Sequence, residues 1–225
     1  MSQQKKLRFA FYVSGNASRL VKIIEMYPEI IENTFVVVND EGPNQDLMDM
    51  LEVRKIDYIE YDYEQLGLKG NDRNLYTSNL LLNKFKDISI DFSFCFGGKI
   101  LKGELLTSYR NKIINFHPSI LPMFPGVKSI DKALNEGAFL LGNTAHFIDE
   151  GTDTGPAIMQ SCMHSQHFSG YEDVIGLQLP MVYQIYCWLS ESRLSVRNNR
   201  VIIEGANYSS ITFYPKLEVS NINHL

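Results

Sequence analysis

The chain reads as an α/β protein with a doubly wound, mostly parallel sheet. Three observations predict it. Strand, turn and helix follow one another repeatedly along the 225 residues. A composition of 44% apolar and 21% charged residues is that of a globular chain long enough for a substantial core. The loops carrying the more reactive residue types, SGNAS, FGGK and NFHPS, all fall at carboxyl ends of predicted strands, where open α/β sheets bind ligands.

The elements follow in order. Residues 7–13 form a strand broken by SGNAS, and Ser18 is placed to cap a helix whose apolar face is Leu20, Ile23, Ile24 and Tyr27. Residues 34–38 are the second strand. The polar turn NDEGPN, a helix near 46–55 and the strand IDYIEY come next. Helical spacing of Leu75, Leu80, Leu81 and Phe85 predicts a helix over 73–85, before the strand DFSFCF and a helix over 101–109. A short strand at 113–115 leads into a proline-rich loop and a helix at 130–135. TAHFID and AIMQSCMH are two strands joined by EGTDTG. One long helix spans 171–194, and RVIIE and SITFY are terminal strands. No repeat or long linker divides the chain.

A net charge of −5 gives no nucleic-acid or membrane footprint, and the small basic cluster Lys5, Lys6, Arg8 reads as solvation of the chain end. No run approaches the roughly 18 apolar residues of a membrane span. LRFAFYV, interrupted by Arg8, reads as a first strand and not as a leader. Cys95, Cys162 and Cys187 are odd in number and scattered, as buried thiols of a reducing cytoplasm would be. His164 and His167 lack neighbouring ligands at metal spacing, so no metal is expected.

Three stretches can carry chemistry. VSGNASRL joins a strand to a helix, and its backbone N–H groups suit an anion nest; an ordinary tight turn accounts for it equally. In NFHPSILPMFPG, Asn115 and His117 alternate on an extended chain, so both side chains point to one side. An amide beside a protonated imidazole can stabilise an oxyanion, although on spacing alone a structural Asn and a hydrogen-bonded His suffice. DEGTDTGP offers Asp149, Glu150 and Asp153. Such acids usually satisfy the turn backbone, whereas one that reached His117 would orient it and favour its charged form.

Taken together, NFHPSILPMFPG followed by HFIDEGTDTGP resembles the 10-formyltetrahydrofolate-dependent formyltransferases, most of all their glycinamide ribonucleotide branch. The likeness runs from about residue 7 to 194 and is strongest over 113–160. It implies a Rossmann-like formyltransferase domain over residues 1–205, with a C-terminal strand or tail at 206–225. It also implies roles. Asn115 and protonated His117 would stabilise the oxyanion formed when an amine attacks the formyl carbon. Asp153 would orient His117 and help move the amine proton through water. Gly97, Gly98, Lys99, Ile100 and Leu101, with Ile148, Asp149, Glu150, Gly151 and Thr152, would cradle the pteridine of the folate co-substrate. Gly15, Asn16, Ala17, Ser18 and Arg19 would hold the acceptor's phosphate, aided by Lys128, with Pro118 and Gln178 also on the acceptor side.

The chain departs from the family pattern at several of these places. Ala17 stands for a second glycine and Arg19 follows; Gln178 and Leu179 stand for a Glu-His pair; Gly98 and Lys99 stand for Met-Arg. The expected partner is a small amine bearing a phosphate, glycinamide ribonucleotide first, and a homodimer is allowed for. The alternatives are a nucleotide-linked amino-deoxysugar acceptor, a hydrolase releasing formate from the folate, and an inactive folate-binding protein.

Overall fold

The computed structural model describes residues 6–41, 44–208 and Tyr214. Its main sheet has seven strands in the order β3-β2-β1-β4-β5-β6-β7. They are β1 (Phe9–Ser14), β2 (Thr34–Asp40), β3 (Asp57–Tyr61), β4 (Phe92–Cys95), β5 (Ile113–His117), β6 (Leu140–Phe147) and β7 (Ala157–His164). The first five are mutually parallel, while β6 runs antiparallel to both β5 and β7. The chain builds outward from β1 to β3 and then returns to the other side of β1 at β4. That reversal puts the crevice of the sheet at the carboxyl ends of β1 and β4, beside Gly15 and Gly97.

Period-two alternation on β1 divides the core. Phe9, Phe11 and Val13 face one side, where α1 (Ser18–Met26) and α7 (Gln178–Ser190) pack. Ala10 and Tyr12 face the other, against α3 (Gly70–Asp87) and α4 (Glu104–Ser108). The helices α2 (Gln45–Glu52), α5 (Ser129–Asn135) and α6 (Tyr171–Gly176) complete the set. Among the aromatic residues on the Phe9 side, Phe94 and Tyr186 are buried, and Phe92, Phe96, Tyr183 and Trp188 pack on the core's margin.

Several expectations are corrected. Ser18 is the first helical residue and not the cap; Ala17, left-handed at φ 48°, is the cap residue, and Asn16 Oδ1 accepts the Ser18 N–H at 3.2 Å. Asn39 and Asp40, read as turn, belong to β2 and are fully buried. β5 reaches His117, two residues further than expected. The long helix over 171–194 is two helices broken at Leu177. Pro180 is the cause: its ring excludes a continuous helix through the carbonyl four residues earlier, yet fits the first turn of α7, where no intrahelical N–H is needed. Leu194 then opens a hairpin of β8 (Leu194–Arg197) and β9 (Arg200–Ile203), turned by Asn198 and Asn199 at φ 50° and 59°. Cys162 is exposed, and only Cys95 of the three thiols is buried. The predicted strand SITFY lies outside the described residues except for Tyr214, whose hydroxyl donates to the Cys162 carbonyl at 3.4 Å.

No described helix is long and apolar enough to cross a membrane. Gly142 on β6 lies opposite Cys162, and a Cβ there would meet the Ser161 carbonyl oxygen at 2.0 Å. Gly142→Ala should therefore destabilise the fold by about 1–3 kcal/mol through overpacking. Urea unfolding checks this: the midpoint should fall at unchanged slope.

Candidate active site

The pairing of β5 with β6 sets Asn115 directly opposite His146 and His117 opposite Thr144. Asn115 Nδ2 lies 3.4 Å from His146 Nε2. The loop after β6 then brings Asp153 back across both rings. Asp153 Oδ2 is 3.3 Å from His117 Nδ1, and Oδ1 is 3.6 Å from His146 Nε2. The Gly126 N–H also donates to Oδ2, at 2.7 Å. The hydrogen bond from His146 is the main reason the Asp153 carboxyl lies below its ordinary value, with the Gly126 N–H and the charge of His117 adding to it.

Hydrogen-bond partners decide how each imidazole is used. His117 presents Nε2 to the Phe124 carbonyl at 2.9 Å and Nδ1 to Asp153. Both neighbours are acceptors, so the ring satisfies both only with a proton on each nitrogen. His146 Nδ1 faces the Phe147 carbonyl at 2.9 Å and must donate there. Neutral His146 therefore keeps a lone pair on Nε2, facing Asn115; protonated, it gives Nε2–H to Asp153.

Asp149 behaves as an ordinary turn acid. Its Oδ1 accepts from the Gly151 N–H at 3.0 Å and from Thr154 Oγ1 at 2.7 Å. Asp153 reaches the imidazoles because its backbone is left-handed, at φ 54°. The turn is also tight: a Cβ at Gly155 would meet the Phe147 carbonyl oxygen at 1.8 Å.

The proline loop is held by more than its prolines. Thr144 Oγ1 donates to the Ser119 carbonyl at 2.8 Å and accepts the Leu121 N–H at 2.9 Å. Gln160 Nε2 donates to the Leu121 carbonyl at 2.9 Å, and Ser129 Oγ to the Pro118 carbonyl at 3.1 Å. β6, β7 and α5 thus each hold the segment that follows His117.

These groups share a cavity of about 310 Å³ with the two loop segments. Gly97, Gly98, Lys99, Ile100 and Leu101 form one wall, and Ile148, Asp149, Glu150, Gly151 and Thr152 another; Asn115, His117, His146 and Asp153 lie between them. Gly97 must be glycine, since a Cβ would fall 2.1 Å from the Tyr12 ring. Ile100 and Val127 stay 69% and 82% exposed, giving the cavity apolar lips suited to a flat heterocyclic ligand. Cys95 also borders the cavity, and burial pushes its thiol up to about 12, so it does not supply a thiolate.

A second cleft of about 210 Å³ opens on the other side of Phe96. Asn16, Ala17, Ser18, Arg19 and Lys22 line it at the N-terminus of α1, together with Glu172. The Arg19 guanidinium lies over the Phe96 ring at 4.9 Å, and burial pulls it down from its ordinary value. Among the described residues no carboxylate pairs with it, so an anion in this cleft would complete its environment.

Four of the expected acceptor-side residues, Gly15, Pro118, Lys128 and Gln178, lie outside the walls of both cavities. Gln178 is fully buried and donates to the Phe116 carbonyl at 3.2 Å and to Asn143 Oδ1 at 2.7 Å, so it faces the core and not the cleft. Lys128 is exposed before α5 and is absent from the walls of both cavities. Pro118 is part-buried beside His117 and also lies outside both sets of walls. His146 was missed. Its strand was legible, but the partner facing it across β5 was not. His164 accepts the Gln166 N–H at 3.1 Å, and no described group of three or more His, Cys, Asp or Glu is arranged to hold a metal ion.

Residues 7–172 match the family described as formyl transferase. The phosphoribosylglycinamide formyltransferase of Bacillus subtilis is 27% identical over 168 residues, 74% of this chain and 84% of that protein. The formyltetrahydrofolate deformylase of Escherichia coli K12 is 38% identical over 107 residues, 48% of this chain but 37% of that protein. In structure, glycinamide ribonucleotide transformylase 1 from Symbiobacterium toebii superposes with a TM-score of 0.75 at 24% identity, covering 90% of this chain and 97% of the other.

The low carboxyl of Asp153 sets a stability dependence on acid. Folded, it binds its proton more weakly than the ordinary value of 3.8 implies. Its contribution is therefore full above about 3.8 and lost as pH falls through the lower folded value. Asp153→Asn should be less stable than wild type at pH 6, with the gap closing toward pH 2. Urea unfolding at both pH values measures it, and an equal gap at pH 2 would contradict the assignment.

Proposed function

The chain belongs to the formyl transferase family that draws on 10-formyltetrahydrofolate, and we propose that its own reaction is N-formyl transfer to a primary amine carried on a phosphate-bearing small molecule. Glycinamide ribonucleotide is the leading acceptor. One observation carries the reading: two imidazoles, a carboxylate and an amide meet in a single cavity walled by the two backbone loops, and a separate cleft holds the Arg19 guanidinium. We take residues 1–205 as the catalytic unit and 206–225 as an extension of it.

The folate is assigned to the larger cavity, where Gly97, Gly98, Gly126 and Gly151 expose backbone and Ile100, Leu101, Val127 and Ile148 supply apolar surface. The co-substrate supplies the formyl carbon. Attack by the amine puts negative charge on the formyl oxygen, and two groups answer that charge. Asn115 has a second Nδ2–H beyond the one directed at His146. His117, fully satisfied only as a cation, adds Coulomb attraction in a partly desolvated site. Asp153, held below its ordinary value, is a weak base and serves to keep His117 charged and oriented. The amine proton then leaves through water beside Asp153 and His146, and the same route can return a proton to the departing nitrogen.

At the acceptor cleft, Arg19 and the N-terminus of α1 would hold the phosphate. The deformylase likeness supports a second reading, with water in place of the amine. Incubation with 10-formyltetrahydrofolate, followed by folate absorbance with and without glycinamide ribonucleotide, separates the two. Turnover that needs the amine supports transfer. Formate release without it supports hydrolysis.

His117→Ala and Asp153→Ala should each lower kcat by about 100-fold or more, with the fold retained by circular dichroism. Near wild-type turnover in either variant would overturn the mechanism. Arg19→Ala should raise the acceptor KM about tenfold or more, as for a lost charge-assisted bond, and leave the folate Kd unchanged. Equal loss at both substrates would remove the phosphate assignment.

A further inference from the structure

One fully buried ionisable group has no part in the chemistry above. Asp40 ends β2, and its carboxylate accepts hydrogen bonds from Tyr12 Oη, Ser14 Oγ and Tyr63 Oη. Two of these donors support the Gly97–Gly98 wall of the larger cavity. Ser14 Oγ accepts the Gly98 N–H at 2.8 Å, and the Tyr12 ring is the surface on which Gly97 rests. The same few residues also grip the other loop. The Gly15 N–H donates to the Asp40 carbonyl at 2.9 Å, and Asn39 Nδ2 donates to the Gly15 carbonyl at 3.0 Å. Beyond them, Glu41 forms an ion pair with Lys99.

We propose that Asp40 is a positioning residue that ties the Gly15 turn and the Gly97–Gly98 wall into one unit, so that occupancy of the two clefts is coupled. The hydroxyl of Ser14 is the hinge of the argument. Its single proton goes to Asp40, which leaves a lone pair turned toward the Gly98 N–H. An Asn at position 40 offers one acceptor oxygen to three hydroxyl donors and sets an NH₂ against at least one of them. Ser14 Oγ then loses its charged acceptor and is held less firmly against the Gly98 N–H. The coupling of substrates rests on the folate and phosphate reading above; the mechanical tie does not.

Asp40→Asn and Ser14→Ala, followed by residue-resolved amide exchange, test the tie. In Asp40→Asn, exchange at Gly98 should speed up by about tenfold or more, while Gly15, bonded to the backbone carbonyl that Asn retains, and the central strand residues Phe11 and Val13 keep their protection. In Ser14→Ala, Gly98 alone should respond. If Asp40→Asn does not fold, the Ser14→Ala arm still decides. Unchanged Gly98 protection, or faster exchange spread equally over the core, overturns the proposal. Calorimetry then measures tetrahydrofolate binding with and without saturating inorganic phosphate. Phosphate should shift the wild-type folate affinity by about threefold or more and have no effect in Asp40→Asn. A wild type that binds folate without responding to phosphate refutes the coupling. A wild type that binds no folate refutes the folate reading instead, and the exchange data still judge Asp40.

Discussion

The antiparallel register of β5 against β6 is the constraint on which the candidate site depends. It sets Asn115 opposite His146, so an amide and an imidazole from distant parts of the sequence meet at 3.4 Å. A slip of one residue would turn either strand's side chains to the other face and part them. The sheet resists such a slip. β6 is buried along nearly its whole length, and Thr144 on it anchors the loop after His117 through two hydrogen bonds. Asp153 can reach both imidazoles only because that register has already placed them together.

Buried charge makes this arrangement demanding. An ionised carboxylate taken out of water costs several kcal/mol unless it is paired and hydrogen-bonded. Asp153 meets that cost with two imidazoles and the Gly126 N–H. Asp40 meets it with three hydroxyls, each bond to a charged group offsetting about 1.5–3 kcal/mol. Burial still pushes the Asp40 carboxyl up, whereas the His146 bond takes Asp153 down. The two acids are therefore placed for different tasks, one holding backbone in place and the other contacting two imidazoles.

Much of this was legible in the sequence because it is local. Apolar runs and helical spacing placed the parallel strands and most of the helices, since those patterns follow from the backbone period alone. The run NFHPSILPMFPG together with Asp153 pointed to the site, and both loop segments expected beside it do wall one cavity. The misses were of another kind. Pro180 divided a helix whose apolar pattern ran straight through it, and Asn198-Asn199 turned a hairpin where the helix was extended too far. Gln178, placed on the acceptor side by the family resemblance, is turned into the core toward Phe116 and Asn143.

What the sequence determined by itself, then, was the class of fold, the order of its elements and the chemical character of the residues gathered near His117. The tertiary structure alone decided that His146 joins them and that Asp40 braces both loops. The physical reason is that periodicity and turn chemistry are properties of neighbouring residues. Register across strands, the left-handed turn at Asp153 and the sharing of one carboxylate by three hydroxyls are settled only when remote segments pack together.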